Sequence, residues 1–110
     1  MQIKNIYSPG KIPSEQEAEF FEVLHQNKNI KIERIISKGH ITDKNKWYNQ
    51  KTDEWVLLIQ GQAKIEFEEN KIIELKSGDY ILIPAGKKHK VIYTSKNPYC
   101  VWLAIHTKAE

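Results

Sequence analysis

The feature that most constrains the fold is a series of short segments between residues 54 and 106 in which apolar residues alternate with polar ones or fill both faces. They are separated by Gly, Pro, Asn and Ser residues, which favour turns. A further segment of this kind begins at Ile30. Short alternating segments bounded by turn residues are typical of an all-β sandwich or barrel. The predicted strands include residues 54–60, 63–67, 71–75, 80–83, 89–94 and 99–106.

One short helix is predicted, near the amino terminus. Ser14 and Glu17 have the spacing of a capping box, and Pro13 stands directly before them. Apolar residues then follow at helical spacing, namely Ala18, Phe21 and Leu24. We expect a helix over residues 14–26. It is too short to form a helical domain by itself, so we expect it to pack against the sheet.

The length of the chain predicts a single domain. With 110 residues it can build one ordinary hydrophobic core and not two. Within that domain, residues 1–29 are expected to form an N-terminal segment carrying the helix, and residues 30–110 the barrel. Cys100 is the one cysteine and cannot form an internal disulfide, so we expect it to be a small buried group in a cytoplasmic protein.

Composition argues against two classes of partner. The net charge of +3 comes almost wholly from lysine, and Arg34 is the one arginine. Because recognition of bases and phosphates usually recruits arginine, nucleic acid is not an expected partner. No apolar run approaches the roughly 20 residues that a membrane-spanning helix needs, so no membrane partner is expected either.

Two sets of residues stand at fixed spacings in this β-rich region. Glu54 is followed after six residues by Gly61. Gly78 is followed after five residues by Pro-Ala-Gly at 84–86, and two further residues separate this turn from His89. This arrangement resembles the two motifs of the cupin superfamily and is similar to that of a small single-domain member. The resemblance implies an antiparallel jelly-roll barrel around a cavity, often built about a divalent metal.

The first motif departs from the family pattern where metal ligands are expected. A His-x-His pair usually precedes the glutamate, but Tyr48 and Gln50, or Trp47 and Asn49, stand at those offsets here. Of the four ligands that the resemblance implies, two remain. We therefore expect a divalent metal such as Fe, Zn, Ni or Mn to bind weakly or not at all. Its candidate ligands are Glu54, His89, His40 and Gln50.

Glu54 and His89 are the candidate catalytic or binding centre even without a metal. A carboxylate buried between apolar strands needs a partner, and a carboxylate beside an imidazole can exchange protons. A purely structural hydrogen bond between the two stays open as an alternative, as does whether His40 or His106 reaches the barrel. Aromatic residues that would line the ligand pocket are Trp47, Tyr48, Tyr93 and Trp102.

Two functions follow from these residues, and the sequence does not decide whether the protein is an enzyme. The first is a small cupin that binds a small molecule at Glu54 and His89. The second is a non-catalytic, metal-free sensing or structural cupin. The segment after Glu54 is also apolar on its second face, through Trp55, Leu57 and Ile59. A helix, the second sheet or a second copy of the chain must cover this face. The resemblance to small cupins, which commonly pair through such surfaces, implies a homodimer.

Overall fold

The computed structural model describes residues 1–109, and the strands within them form two antiparallel sheets. The strands are β1 (Phe20–Gln26), β2 (Ile30–Ser37), β3 (Thr52–Gln60), β4 (Gln62–Phe67), β5 (Lys71–Lys76), β6 (Tyr80–Ile83), β7 (His89–Thr94) and β8 (Cys100–Lys108). One sheet has five strands in the order β1-β2-β8-β3-β6, and the other has three in the order β5-β4-β7.

The all-β prediction is confirmed, and the predicted strands agree closely with the observed ones. Residues 80–83 and 89–94 are β6 and β7 without change, and the other bounds move by one or two residues. The turn between β3 and β4 shows why glycine predicts a turn at this position. Gly61 has φ +101°, and a Cβ there would lie 2.8 Å from both Cys100 Sγ and Ser95 Oγ. Another residue would be strained at this turn and would also clash.

The predicted N-terminal helix is wrong, since residues 1–109 contain no helix. The local capping contact does form: Ser14 N donates to Glu17 Oε1 at 3.0 Å. A turn ends there, and β1 then pairs along β2, with Phe20 opposite Ile36. A short isolated helix is only marginally stable, whereas pairing satisfies the backbone groups of two strands at once. Residues 20–26 thus form the edge strand of the five-stranded sheet.

The hydrophobic core lies between the two sheets. Val56 and Leu58 of β3 and Trp102 of β8 meet Ile65 and Phe67 of β4 in one buried cluster. The alternation of side chains along a strand explains which residues of β3 enter the core, because its even-numbered positions point inward and its odd-numbered ones outward. Cys100 belongs to the same cluster and is completely buried. Inward alternation on β3 also places Glu54 on the core side, at the end of the strand's buried stretch.

The outer face of the five-stranded sheet is covered unevenly. Beside β2, Arg34 donates to the Asn5 carbonyl oxygen at 3.0 Å, so the N-terminal segment covers that half. At β6 the face is open: Tyr80 and Leu82 are 65% and 57% exposed, and Tyr80 packs on Trp55 with ring centroids 5.1 Å apart. Residues 1–109 contain no helix long and apolar enough to cross a lipid bilayer.

Candidate functional site

A cavity of about 80 Å³ opens between the sheets. A single water molecule needs roughly 10–15 Å³ by this kind of measure, so the cavity has room for a small organic molecule. Both sheets and the loop before β3 contribute to its lining. The lining residues are Glu19, Phe21, Glu33, Ile35, Ser37, Tyr48, Gln50, Glu54, Val56, Ile65, Ile83, His89, Val91, Trp102 and His106.

The loop between β2 and β3 is held at the cavity by backbone hydrogen bonds. Tyr48 N donates to His89 O at 2.8 Å, and His89 N donates to Tyr48 O at 3.1 Å. Further along, Gly86 N donates to Gln50 O at 2.8 Å. The loop therefore pairs with the start of β7 and with the turn before it. This pairing fixes the side chains of Tyr48 and Gln50 at the cavity wall.

The orientation of Glu54 is set by a contact between its own strand and the turn before β7. The neighbouring Asp53 accepts a hydrogen bond from Ala85 N at 2.8 Å through Oδ1. Because adjacent residues of a strand face opposite ways, this contact on one side directs Glu54 into the cavity on the other. Glu54 is only 8% exposed, and its carboxylate makes no hydrogen bond with any of residues 1–109. Glu54 is thus a buried carboxylate without a close protein partner.

The orientation of the His89 ring fixes which nitrogen bears the proton. The ring is 5% exposed and lies between Tyr48 and Phe67, with centroid distances of 5.6 and 6.1 Å. Its Nδ1 lies 3.0 Å from the carbonyl oxygen of Lys87, which can only accept, so Nδ1 carries a hydrogen. In the neutral ring Nε2 then has a lone pair. The Nε2 atom lies 3.7 Å from Glu54 Oε1.

Gln50 adds a further acceptor to the cavity wall. Its Oε1 is buried and has no hydrogen-bond partner among the described residues. Buried polar atoms in folded proteins almost always have a partner, so an orphaned one calls for an explanation. Gln50, Glu54 and His89 line the same cavity. Together the three side chains carry acceptor atoms that no donor within residues 1–109 satisfies, and the Gln50 Oε1 is the most deeply buried of them.

A second carboxylate–imidazole pair borders the same cavity. Whether His106 reaches the cavity was left open by the sequence, and its partner Glu33 was not predicted. His106 Nε2 donates to Glu33 Oε1 at 2.9 Å, and both residues are largely buried. His106 also stands directly opposite Glu54 in the pairing of β3 with β8. The sequence did contain a signal for Glu33, because this charged residue lies on the same inward side of β2 as Ile35 and Ser37. A charged residue within an apolar strand indicates a candidate site residue, as it did for Glu54.

Glu19 forms the third acidic side chain of the wall. Its Oε2 accepts from Ser37 Oγ at 2.9 Å, and Ser37 Oγ in turn accepts from Trp102 Nε1 at 3.2 Å. Burial raises the pKa of the Glu19 carboxyl, although the hydrogen bond from Ser37 acts in the opposite direction. Burial, together with the charges of Glu19 and Glu54, likewise raises the pKa of the Tyr48 phenol. The phenol therefore stays protonated.

Three other predicted site residues do not reach the cavity. The His40 ring accepts from Lys38 N at 2.7 Å and donates to the carbonyl oxygen of Glu17 at 2.7 Å, so it ties the loop to the N-terminal turn. Trp47 lies under the ammonium of Lys90, whose Nζ is 4.3 Å from the ring centroid. Tyr93 is exposed because the pairing of β4 and β7 shifts register beside it.

The donor set does not fit a tightly held metal. Among residues 1–109 no three His, Cys, Asp or Glu side chains are grouped so that they could hold an ion. Glu54 and His89 supply two donors, His106 is engaged by Glu33, and His40 lies elsewhere. A tightly bound zinc normally has at least three protein ligands. Glu54 and His89 alone fall short of that number.

The fold and the paired motifs at this cavity define a family. The family model for the cupin domain matches residues 34–106, which include Glu54, His89 and His106. The chain therefore belongs to the cupin family. No curated protein sequence matches it.

Solved structures agree with this assignment. A proposed mannose-6-phosphate isomerase from Ralstonia eutropha JMP134 is 34% identical, with a TM-score of 0.89 over 99% of this chain and 100% of that one. A cupin superfamily protein from Desulfitobacterium hafniense DCB-2 is 21% identical, with a TM-score of 0.68 over 90% of this chain and 84% of that one. A protein from Thermus thermophilus is 16% identical, with a TM-score of 0.78 over the whole of both chains. The last two show the fold alone.

Proposed function

We propose that this chain is a cupin whose two sheets form a jelly-roll barrel and bind a small molecule between them, without a tightly held metal. The observation that carries the proposal is the buried Glu54 carboxylate, which has no hydrogen-bond partner within residues 1–109. Burying a carboxylate without a partner costs several kcal/mol, and a ligand that donates to it would offset that cost. The orphaned Gln50 Oε1 beside the same cavity supports the same conclusion.

The two central side chains also suit proton transfer. Glu54 and His89 each direct a lone pair into the cavity, and their nearest atoms are 3.7 Å apart. A ligand proton held near both could pass to either, which is the geometry of general-base catalysis. If the protein is an enzyme, Glu54 or His89 is the base. Tyr48, with its raised pKa, would remain a hydrogen-bond donor to the ligand.

The name of the Ralstonia protein raises a phosphosugar as a ligand, and the cavity does not favour one. Sites that recognise phosphate usually present arginine, lysine or a helix N-terminus. The cavity lining within residues 1–109 contains three glutamates and no lysine or arginine. A phosphate placed there would face carboxylates. Binding of mannose 6-phosphate is therefore not part of this proposal.

The experiment is a thermal-shift screen of chemically diverse small metabolites on wild type, Glu54→Gln and a matched control, Glu74→Gln. Glu74 lies on β5, and its side chain is 77% exposed and outside the cavity. We expect at least one compound that stabilises wild type and Glu74→Gln but not Glu54→Gln. A structural cupin without a ligand would give no stabilising compound, or one that stabilises Glu54→Gln equally well.

Two further expectations belong to the proposal. A homodimer would cover the open outer face at β6, where Tyr80 and Leu82 are exposed. A cytoplasmic location accords with Cys100, which is buried and unpaired within the described chain. Reducing compartments keep such thiols free.

A further inference from the structure

Acceptors predominate in the polar wall of the cavity, where the Tyr48 phenol also offers a donor. Glu54 and Gln50 contribute oxygens without a donor among residues 1–109, and the His89 ring contributes an Nε2 lone pair when it is neutral. A ligand that itself carries only acceptors, such as a carboxylate or a phosphate, would leave all of these atoms unsatisfied and would add repulsion. The missing partner of this wall must therefore be a donor.

The negative charge of the cavity wall further restricts the chemical class of the donor. Three glutamates line the cavity within residues 1–109, and no lysine or arginine offsets them there. Glu33 is engaged by His106, and Glu19 by Ser37, so Glu54 is the carboxylate left to meet the ligand. A buried carboxylate is stabilised most by a cation that also donates hydrogen bonds to it.

From these contacts, and resting on the proposed function, we propose that the ligand is a small organic amine bound as its primary ammonium. An –NH₃⁺ group has three donors and no acceptor, which matches the acceptors of Glu54, His89 and Gln50. Phe21, Tyr48 and Trp102 are aromatic residues of the cavity lining, and Tyr48 stacks on His89. Aromatic faces also attract ammonium groups. The volume of about 80 Å³ restricts the amine to a few heavy atoms.

The test uses matched probes that separate charge from hydrogen bonding. ¹⁵N-labelled protein is titrated with ethylammonium, tetramethylammonium, ethylene glycol, acetate and inorganic phosphate at millimolar concentrations. The readout is the indole Nε1–H resonance of Trp102, which lines the cavity and donates to Ser37 Oγ. We expect ethylammonium to shift this resonance saturably, and tetramethylammonium, which has the charge but no N–H, to bind at least about tenfold more weakly. Acetate and phosphate should not shift it.

Variants then place the ammonium at the acceptors. Glu54→Gln should weaken ethylammonium at least about tenfold, since a charge-assisted hydrogen bond is lost. Gln50→Leu, which keeps the Glu54 charge, should weaken it several-fold. Glu74→Gln should leave the affinity unchanged. Amide spectra establish that each variant is folded, and Gln50→Leu serves if Glu54→Gln does not fold.

The outcomes separate this inference from the proposed function. Glu54-dependent binding of ethylene glycol, acetate or phosphate in place of ethylammonium overturns the amine inference and leaves a ligand site at Glu54. Equal binding of ethylammonium to wild type and to both cavity variants overturns it as well, as does the absence of any ethylammonium binding. If the metabolite screen also yields no Glu54-dependent compound, the proposed function fails together with this inference.

Discussion

His89 Nε2 lies 3.7 Å from Glu54 Oε1, with the opposite ring nitrogen donating to the carbonyl oxygen of Lys87 at 3.0 Å. In the neutral ring, two acceptors therefore face each other across the cavity. Such a pair is not a closed hydrogen bond, and a donor that reaches both atoms from the cavity would stabilise it. The proposed ligand site depends on this relationship, because a closed structural pair would leave no acceptor for a ligand.

Replacing His89 tests how its ring is held. His89→Ala should lower the free energy of unfolding by about 1–3 kcal/mol, since the hydrogen bond to Lys87 and the packing between Tyr48 and Phe67 are lost. His89→Asn should lose less, because an amide nitrogen can still donate to that carbonyl. Urea unfolding measures both. Exposed His25 on β1 supplies the control, and an effect of His89→Ala no larger than that of His25→Ala would contradict the packing described here.

The raised pKa of the Glu19 carboxyl predicts that the stability of the folded protein depends on pH. Burial raises its pKa in the folded state above the ordinary value of 4.5, so the folded protein holds this proton more tightly than the unfolded chain does. The stabilisation is complete below the ordinary value and is lost as pH rises through the raised folded pKa. Thermal unfolding across this range should show the loss in wild type and in Glu74→Gln. Glu19→Gln, which stays neutral, should lack it, and an unchanged profile in Glu19→Gln would count against this assignment.

Divalent metals should bind weakly or not at all. Structural zinc sites bind with about 10–16 kcal/mol, and half of the usual ligands are missing here. We expect calorimetric titration of Fe²⁺, Zn²⁺, Ni²⁺ or Mn²⁺ into the apo protein to give a dissociation constant weaker than about 10 μM. A chelator should strip any metal that does bind. Stoichiometric, tight binding lost in both Glu54→Gln and His89→Ala would show instead that the remaining donors suffice.

The open outer face predicts self-association. Light scattering should report about twice the 12.9 kDa chain mass at micromolar concentration. Leu82→Lys on β6 should shift the protein to monomer, because a charge would be buried in the interface. Ile72→Lys is a matched control, since Ile72 is 52% exposed on β5 of the other sheet. A wild-type monomer, or an equal effect of both variants, would place the contact elsewhere or exclude it.

The sequence predicted most of the fold because alternation and turn residues act locally. The order of strands, and Glu54 and His89 at the cavity, followed from spacing and from the cupin resemblance. The helix failed because Ser14 and Glu17 form only a turn, and long-range pairing with β2 decided the conformation of β1. Glu33 and its pairing with His106 were not predicted because the contact joins residues far apart in the chain. Tyr93 points outward at a register shift that no local pattern marks.

The proton on the His89 ring tests the central claim most directly. ¹⁵N spectra of the imidazole at about pH 8, where an ordinary histidine is neutral, report which nitrogen is protonated. The structure predicts hydrogen on Nδ1 and a bare Nε2 in the free protein, with Nε2 changing when a Glu54-dependent ligand is added. Hydrogen on Nε2 in the free protein, donated to Glu54, would show a closed structural pair and would contradict the ligand site.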